Sequence, residues 1–203
     1  MKPLFITGIG TDVGKTVVSA VLVEKLKADY WKPVQSGDLI NSDTQKVRHL
    51  VANHKSVFHQ ETYRLNQPFS PHKSAALDGI EIDLQSISVP DTSNRLIIEG
   101  AGGLMVPLNN KHYVVDLIKL FEAEVILVVK HYLGSINHTL LSLELLNSKN
   151  IPVKGIIFNG GSDSYSEQAI FDHSKVSRLG NIPFVEGLSA EKITILGKEI
   201  DLT

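Results

Sequence analysis

The stretch Leu4-Phe5-Ile6-Thr7-Gly8-Ile9-Gly10-Thr11-Asp12-Val13-Gly14-Lys15-Thr16-Val17-Val18-Ser19 constrains this chain more than any other segment. A buried-strand pattern runs into a glycine-rich turn and then into a helical pattern that opens on Gly14-Lys15-Thr16. A strand, turn and helix in that order leave backbone N–H groups free to surround phosphate oxygens, and the helix N-terminus adds partial positive charge. Lys15 then reaches the outer phosphates and the Thr16 hydroxyl can hold Mg²⁺, so the pattern predicts a nucleoside triphosphate site. Its spacing is a variant. The usual outer glycine falls at position 9, where Ile9 stands, and the glycines are Gly8 and Gly10, leaving one more residue between the outer pair.

The rest of the chain alternates short β-rich runs with helical patterns, the sign of parallel strands joined by crossover helices. Strands are expected over 4–7, 30–34, 96–99, 125–130, 153–159 and 183–185, and helices over 15–27, 43–52, 114–121, 135–148 and 164–178. Leu96-Ile97-Ile98 and the run 125–129 are apolar without alternation, as befits strands covered on both faces, and are expected to be central. Ser42 with Gln45 reads as a capping box, and Ser135 and Ser164 as caps of later helices. Residues 54–94 are less regular and read as a hairpin-like excursion with a short helix near Ser74 to Leu77. The expected fold is α/β: a single P-loop NTPase-type domain over 1–203, with a mostly parallel sheet flanked by helices.

Charge and residue usage narrow the function. With 20 basic against 22 acidic residues, a net charge of −2 and no long run of like charge, neither nucleic acid nor an anionic membrane surface is the expected partner. Small-molecule chemistry is. The chain has no cysteine, which removes disulfides, thiolate metal sites and a cysteine nucleophile. Its longest compact apolar run, 125–129, is far short of the roughly 20 residues that span a bilayer. The expected setting is cytoplasmic.

In an open α/β sheet, chemistry is expected beyond the carboxyl ends of the strands. Glu99 ends an apolar strand, where a carboxylate needs a cation or donors. Mg²⁺ would supply the cation, with Thr16, Glu99 and one more carboxylate as hard oxygen ligands; Asp43, opening a helix, fits that place or simply complements its helix dipole. Lys32 precedes Pro33, which keeps the strand from continuing in the sheet, and a second lysine beside Lys15 suits transfer of a terminal phosphoryl group. A strand-capping surface lysine is the plainer reading. His72, in Ser70-Pro71-His72, reads as a turn residue. The turn Leu133-Gly134-Ser135-Ile136-Asn137 could receive a carboxylate or simply cap a helix, and Asn159-Gly160-Gly161 could read a purine or form a plain turn. Ile136, Leu140, Leu141, Leu143, Leu145 and Leu146 cover more than one narrow helix stripe, so part of that helix is expected to meet another subunit.

Together, Thr11-Asp12-Val13-Gly14-Lys15-Thr16, Lys32-Pro33-Val34-Gln35-Ser36-Gly37, Asn41-Ser42-Asp43, Ser70-Pro71-His72, Glu99-Gly100-Ala101-Gly102-Gly103 and Gly134-Ser135-Ile136-Asn137-His138 resemble the dethiobiotin synthetase family over nearly the whole chain. The resemblance implies a homodimeric ligase that uses ATP and Mg²⁺ to close a cyclic urea from 7,8-diaminononanoate and CO₂. It implies that Lys15 and Lys32 stabilise the phosphates and a carbamate, that Thr16, Asp43 and Glu99 hold Mg²⁺, and that Thr11 and Ser36 contact the reacting end of the substrate. Asp12, Val13, Gly14, Val17, Gly100, Ala101 and Gly102 would complete the nucleotide cradle, with Asn159, Gly160, Pro183, Phe184 and Val185 around adenine. Gly134, Ser135 and Asn137 would receive the substrate carboxylate across a dimer interface. The chain departs from the family's usual Gly-Thr-Asp-Thr loop opening with Gly8-Ile9-Gly10-Thr11. Two other readings share the loop: a corrinoid-synthesis amidoligase, and a nucleotide-switched partition ATPase. The latter type carries an extra lysine at the position of Gly10.

Overall fold

The computed structural model describes residues 1–202. Along the chain, β1 (Leu4–Gly8) leads through the glycine-rich turn into α1 (Lys15–Leu26). Then come β2 (Asp29–Trp31), β3 (Val34–Ser36), α2 (Asp43–Leu50), β4 (Tyr63–Leu65) and α3 (Pro71–Leu77). After these run β5 (Leu96–Gly103), α4 (Val114–Leu120), β6 (Glu124–Val129), α5 (Ser135–Ser148), β7 (Val153–Asn159), α6 (Ser164–Asp172), β8 (Arg178–Ile182) and α7 (Ala190–Leu196). The main sheet has six strands in the order β2-β5-β1-β6-β7-β8, with every neighbouring pair parallel.

Alternating side chains divide the core in two. Leu4, Ile6, Ile97, Ile126, Val128 and Ile157 face a layer containing α1, α2 and α7, where Val18, Val21, Leu22, Val47 and Ile193 are buried. Phe5, Trp31, Ile98, Val125, Leu127 and Phe158 face the opposite layer with Val114, Leu117, Ile118, Leu146 and Ile170 from α4, α5 and α6. Helix α1 is apolar nearly all round because it is covered on both sides, by the sheet and by α2 and α7.

The expected α/β class holds, with several adjustments. Strand β6 is central as expected, but its central partner is β1, and β5 lies one place further out. The expected strand 30–34 is two strands: β2 belongs to the main sheet, while β3 pairs in parallel with β4 in a separate two-stranded sheet. The break falls at Lys32-Pro33, where proline removes a ladder donor and its carbonyl accepts from Tyr63 N at 2.9 Å. The irregular segment thus contributes a parallel strand and not a hairpin. The expected strand 183–185 lies at 178–182 instead, and the last turns expected of the 164–178 helix are taken up by that strand's approach. Ser42 caps α2, accepting from Gln45 N, whereas Gly134 and Asp163 stand at the N-caps expected for Ser135 and Ser164. Among the described residues no helix is long and apolar enough to cross a membrane.

Candidate active site

The chain leaves β1 at Gly8 and enters α1 at Lys15 by a turn that only two small residues permit. A Cβ at Gly8 would come within 2.4 Å of Val13 Cγ2, and one at Gly14, where φ is +93°, within 2.0 Å of Asn159 Nδ2. Gly10 has no such constraint. This explains the variant spacing. Gly8 is the tight outer glycine, and Ile9 folds inward, its N–H bonded to Val128 O at 3.2 Å and its side chain against both cores. Asn159 Nδ2 donates to Val13 O at 3.0 Å and clamps the loop from the end of β7. Lys15 Nζ donates to Gly10 O at 3.0 Å and so lies across the turn.

Facing this loop, three elements bring a second lysine and two carboxylates together. Lys32, at the switch between the two sheets, donates to Asp43 Oδ2 and, at 3.2 Å, to Glu99 Oε1. Thr16 Oγ1 donates to the same Glu99 oxygen at 2.9 Å. The other Glu99 oxygen accepts from Tyr30 OH at 2.9 Å. Asp43 opens α2, whose start is fixed by the buried carboxylate of Glu61: Oε1 accepts from Ser42 Oγ at 2.9 Å and Thr44 Oγ1 at 2.7 Å, while Oε2 accepts from Arg64 at 2.8 Å.

Electrostatics follow from burial and pairing. Burial works against the Lys32 charge, but Glu99 and Asp43 outweigh it and hold the ammonium above the ordinary lysine range. Burial pushes Lys15 below that range, with Glu99 offsetting part of the effect and Lys32 adding to it. Burial also opposes the Asp43 charge, and Lys32 nevertheless keeps its carboxyl below the usual range. The result is a cleft in which two lysines of opposite shift face two carboxylates.

These groups line a cleft of about 750 Å³ at the carboxyl ends of the strands. It brings together Thr11, Asp12, Gly14, Lys15, Thr16, Lys32, Ser36, Asp43, Glu99, Ala101 and Gly102. Among the described residues no three histidine, cysteine, aspartate or glutamate side chains converge on a metal position. The donor set at Thr16, Asp43 and Glu99 is instead a hydroxyl and two carboxylates, the carboxylates bridged by the Lys32 ammonium and the hydroxyl bonded to Glu99. Such hard oxygens suit Mg²⁺ when nucleotide phosphates and water complete its shell.

Other expected residues lie outside this cleft. Val13 is buried, with its carbonyl on Asn159; Gly100 packs so closely on Phe5 that a Cβ would sit 2.7 Å from its ring. Val17 belongs to α1 and packs on the core. Asn159 and Gly160 stand behind the loop at the end of β7, and Pro183, Phe184 and Val185 follow β8, with Phe184 exposed. Gly134, Ser135 and Asn137 start α5, and Asn137 lines a separate groove with Leu140, Leu141 and Glu144. Ser70 and Pro71 line the cleft, while His72, expected as a turn residue, lies instead in the first turn of α3 and lines another groove.

Sequence reasoning assigned no role to Asp38, Lys46 and Phe69, which also line the cleft. Lys46 Nζ pairs with Asp38 at 2.9 Å and lies 3.6 Å from Asp43 Oδ1. Only helical spacing links Lys46 to Asp43 in the sequence, three residues apart on α2. Tyr30 and Glu61 were also missed, since a tyrosine within a strand and a glutamate within a loop carry no local signal of their partners.

The family model described as AAA domain matches residues 2–192. An ATP-dependent dethiobiotin synthetase BioD of Christiangramia forsetii is 57% identical over 181 residues, covering 89% of this chain and 87% of that relative. The protein of the same name from Cytophaga hutchinsonii is 51% identical over 195 residues, covering 96% and 94%. That of Brucella ovis is 46% identical over 190 residues, covering 94% and 90%. Among solved structures, a ParA family ATPase from Chlorobium tepidum superposes with a TM-score of 0.54 at 15% identity, covering 99% of this chain and 94% of that one. The septum site-determining protein MinD of Pyrococcus horikoshii, solved with Mg-ADP, gives 0.53 at 15% identity, covering 98% and 96%. At such identities these two likenesses bear on the fold alone.

Proposed function

The chain belongs to the ATP-dependent dethiobiotin synthetase family, and from that premise we propose how its own residues carry out the family's ring closure. It is an ATP-dependent ligase that forms carbon–nitrogen bonds in biotin synthesis. The acceptor is 7,8-diaminononanoate, one amine of which takes up CO₂ as a carbamate. A carbamate oxygen attacks the γ-phosphorus of ATP, releasing ADP and leaving a carbamic–phosphoric anhydride. The second amine then attacks the carbamoyl carbon, phosphate departs, and the cyclic urea is complete.

In this reading the loop N–H groups and Lys15 hold the phosphates, and Lys32 faces the transferred phosphoryl group and the carbamate. Charge stabilisation and alignment are what that transfer needs from a protein. Thr16, Asp43 and Glu99 hold Mg²⁺, which when bound neutralises phosphate charge. Thr11 and Ser36 position the reacting end of the diamine. Asn159, its amide N–H₂ engaged by Val13 O, keeps its carbonyl oxygen as acceptor for an adenine amino group, with Gly160 and Pro183 to Val185 beside the base. The observation that carries the reading is the convergence of Lys15, Lys32, Thr16, Asp43 and Glu99 on one cleft that Ser36 and Thr11 also line.

The active form is proposed to be a cytoplasmic homodimer, in which Gly134, Ser135 and Asn137 of one subunit receive the substrate carboxylate bound to the other. Two features support it: these residues are absent from their own chain's cleft lining, and α5 leaves Leu141 60% exposed, with Leu133 fully so just before it. The test is the substrate dependence of ATP cleavage. ADP release that requires both diaminononanoate and bicarbonate supports the ligase. Equal release from protein and ATP alone contradicts it and favours a nucleotide switch.

A further inference from the structure

Glu99 is 1% exposed, and its two oxygens have separate duties. Oε1 faces the cleft, accepting from Thr16 Oγ1 at 2.9 Å and Lys32 Nζ at 3.2 Å. Oε2 points away and accepts from Tyr30 OH at 2.9 Å. The terminal torsion of a glutamate is soft and roughly two-fold, so backbone position alone does not fix the plane of its carboxylate. A donor on the rear oxygen does. Tyr30 is fully buried and supplies that donor from a rigid place. Its strand is in register with β5 at Ile97, its N–H bonds Val57 O at 2.9 Å, its carbonyl accepts from His59 N at 2.9 Å, and its ring lies 6.2 Å from that of Phe58.

We propose that Tyr30 is a positioning residue for the divalent cation, its hydroxyl fixing the Glu99 carboxylate so that Oε1 is presented to the metal beside Thr16. The inference rests on Glu99 being a metal ligand. Partners one layer behind the ligands commonly govern metal affinity by about 10-fold to 100-fold.

The experiment measures binding of a non-hydrolysable ATP analogue by calorimetry across a Mg²⁺ titration, alongside turnover over the same range. Tyr30→Phe keeps the ring and removes only the hydroxyl. It is expected to raise the Mg²⁺ concentration for half-maximal binding about tenfold, with turnover largely restored at saturating Mg²⁺. Phe58→Leu, which disturbs the packing of the ring and not its hydroxyl, is expected to leave the Mg²⁺ dependence unchanged. Glu99→Gln should shift it as well, and adding Tyr30→Phe to Glu99→Gln should cost little more, because both act through one group. An unshifted Tyr30→Phe beside a shifted Glu99→Gln overturns the inference alone, as do strictly additive effects or a Tyr30→Phe protein that does not fold. An unshifted Glu99→Gln overturns the metal assignment and this inference together.

Discussion

Lys32 and Gly14 illustrate how single residues are committed to the cleft. The Lys32 ammonium is buried and bridges Asp43 and Glu99, so its removal takes away the cation that stands between the two carboxylates. At an effective dielectric near 20, a unit charge about 4 Å from a developing charge is worth about 4 kcal/mol, roughly a thousandfold in rate as an upper guide. Lys15→Ala and Lys32→Ala are each expected to lose more than nine-tenths of turnover in a steady-state assay. Lys149→Ala, at a half-buried lysine outside the cleft and 3.9 Å from Asp116, should stay near wild type. Retention of full activity by Lys32→Ala would remove it from the reaction. Gly14 has a different constraint: positive φ and the Asn159 amide 2.0 Å from any Cβ. Gly14→Ala is expected to abolish nucleotide binding by calorimetry. Pairing it with Asn159→Ala relieves the clash but not the strained φ, so at most partial recovery should follow.

Helix α2 carries Asp43, and its position depends on a buried acid outside the cleft. Burial opposes the Glu61 charge, but Thr44, Ser42 and Arg64 outweigh it and hold the carboxyl below its ordinary range. The native state therefore binds this proton less readily than the unfolded chain. Stability from Glu61 is fully present above the ordinary glutamate pKa and is lost as pH falls through the lower folded value. Glu24 and Asp29, also shifted down despite burial, act in the same direction. The melting temperature is expected to be level near neutrality and to fall below about pH 4. Glu61→Gln should lower stability at neutral pH by about 1–3 kcal/mol, and with it the melting temperature, and make the acid fall shallower. Parallel wild-type and mutant curves would contradict this. The same element marks what the sequence makes legible. Ser42, Gln45 and the helix they start are a local pattern, as are the glycine loop, the apolar runs of β5 and β6, and the proline that ends β2. Long-range partnerships have no such pattern. Tyr30 with Glu99 and Glu61 with Ser42 join residues distant in sequence, and β4 found a parallel partner in β3 that local alternation could not reveal. Arg178 also had to leave a helical reading, since β8 pairs with β7 by a register only the sheet imposes.

At the scale of the whole molecule, a sheet with β1 and β6 at its centre puts the phosphate loop and the start of α5 at the ends of neighbouring strands. One chain nevertheless lines its cleft without Gly134 or Asn137. If a second subunit supplies them, two different defects should complement. Heterodimers of Lys15→Ala with an Asn137→Ala chain should regain up to about half of wild-type activity after subunit exchange, because one site holds both intact halves. Verified heterodimers with no recovered activity would contradict a shared site, as would a fully active monomer. The ligase assignment itself has a more direct test: the mass of the product after incubating the protein with ATP, Mg²⁺, 7,8-diaminononanoate and ¹³C-bicarbonate. The expected result is dethiobiotin carrying one labelled carbon, formed with equimolar ADP and phosphate. ATP cleavage with the diamine recovered unchanged and no label in an organic product would contradict it.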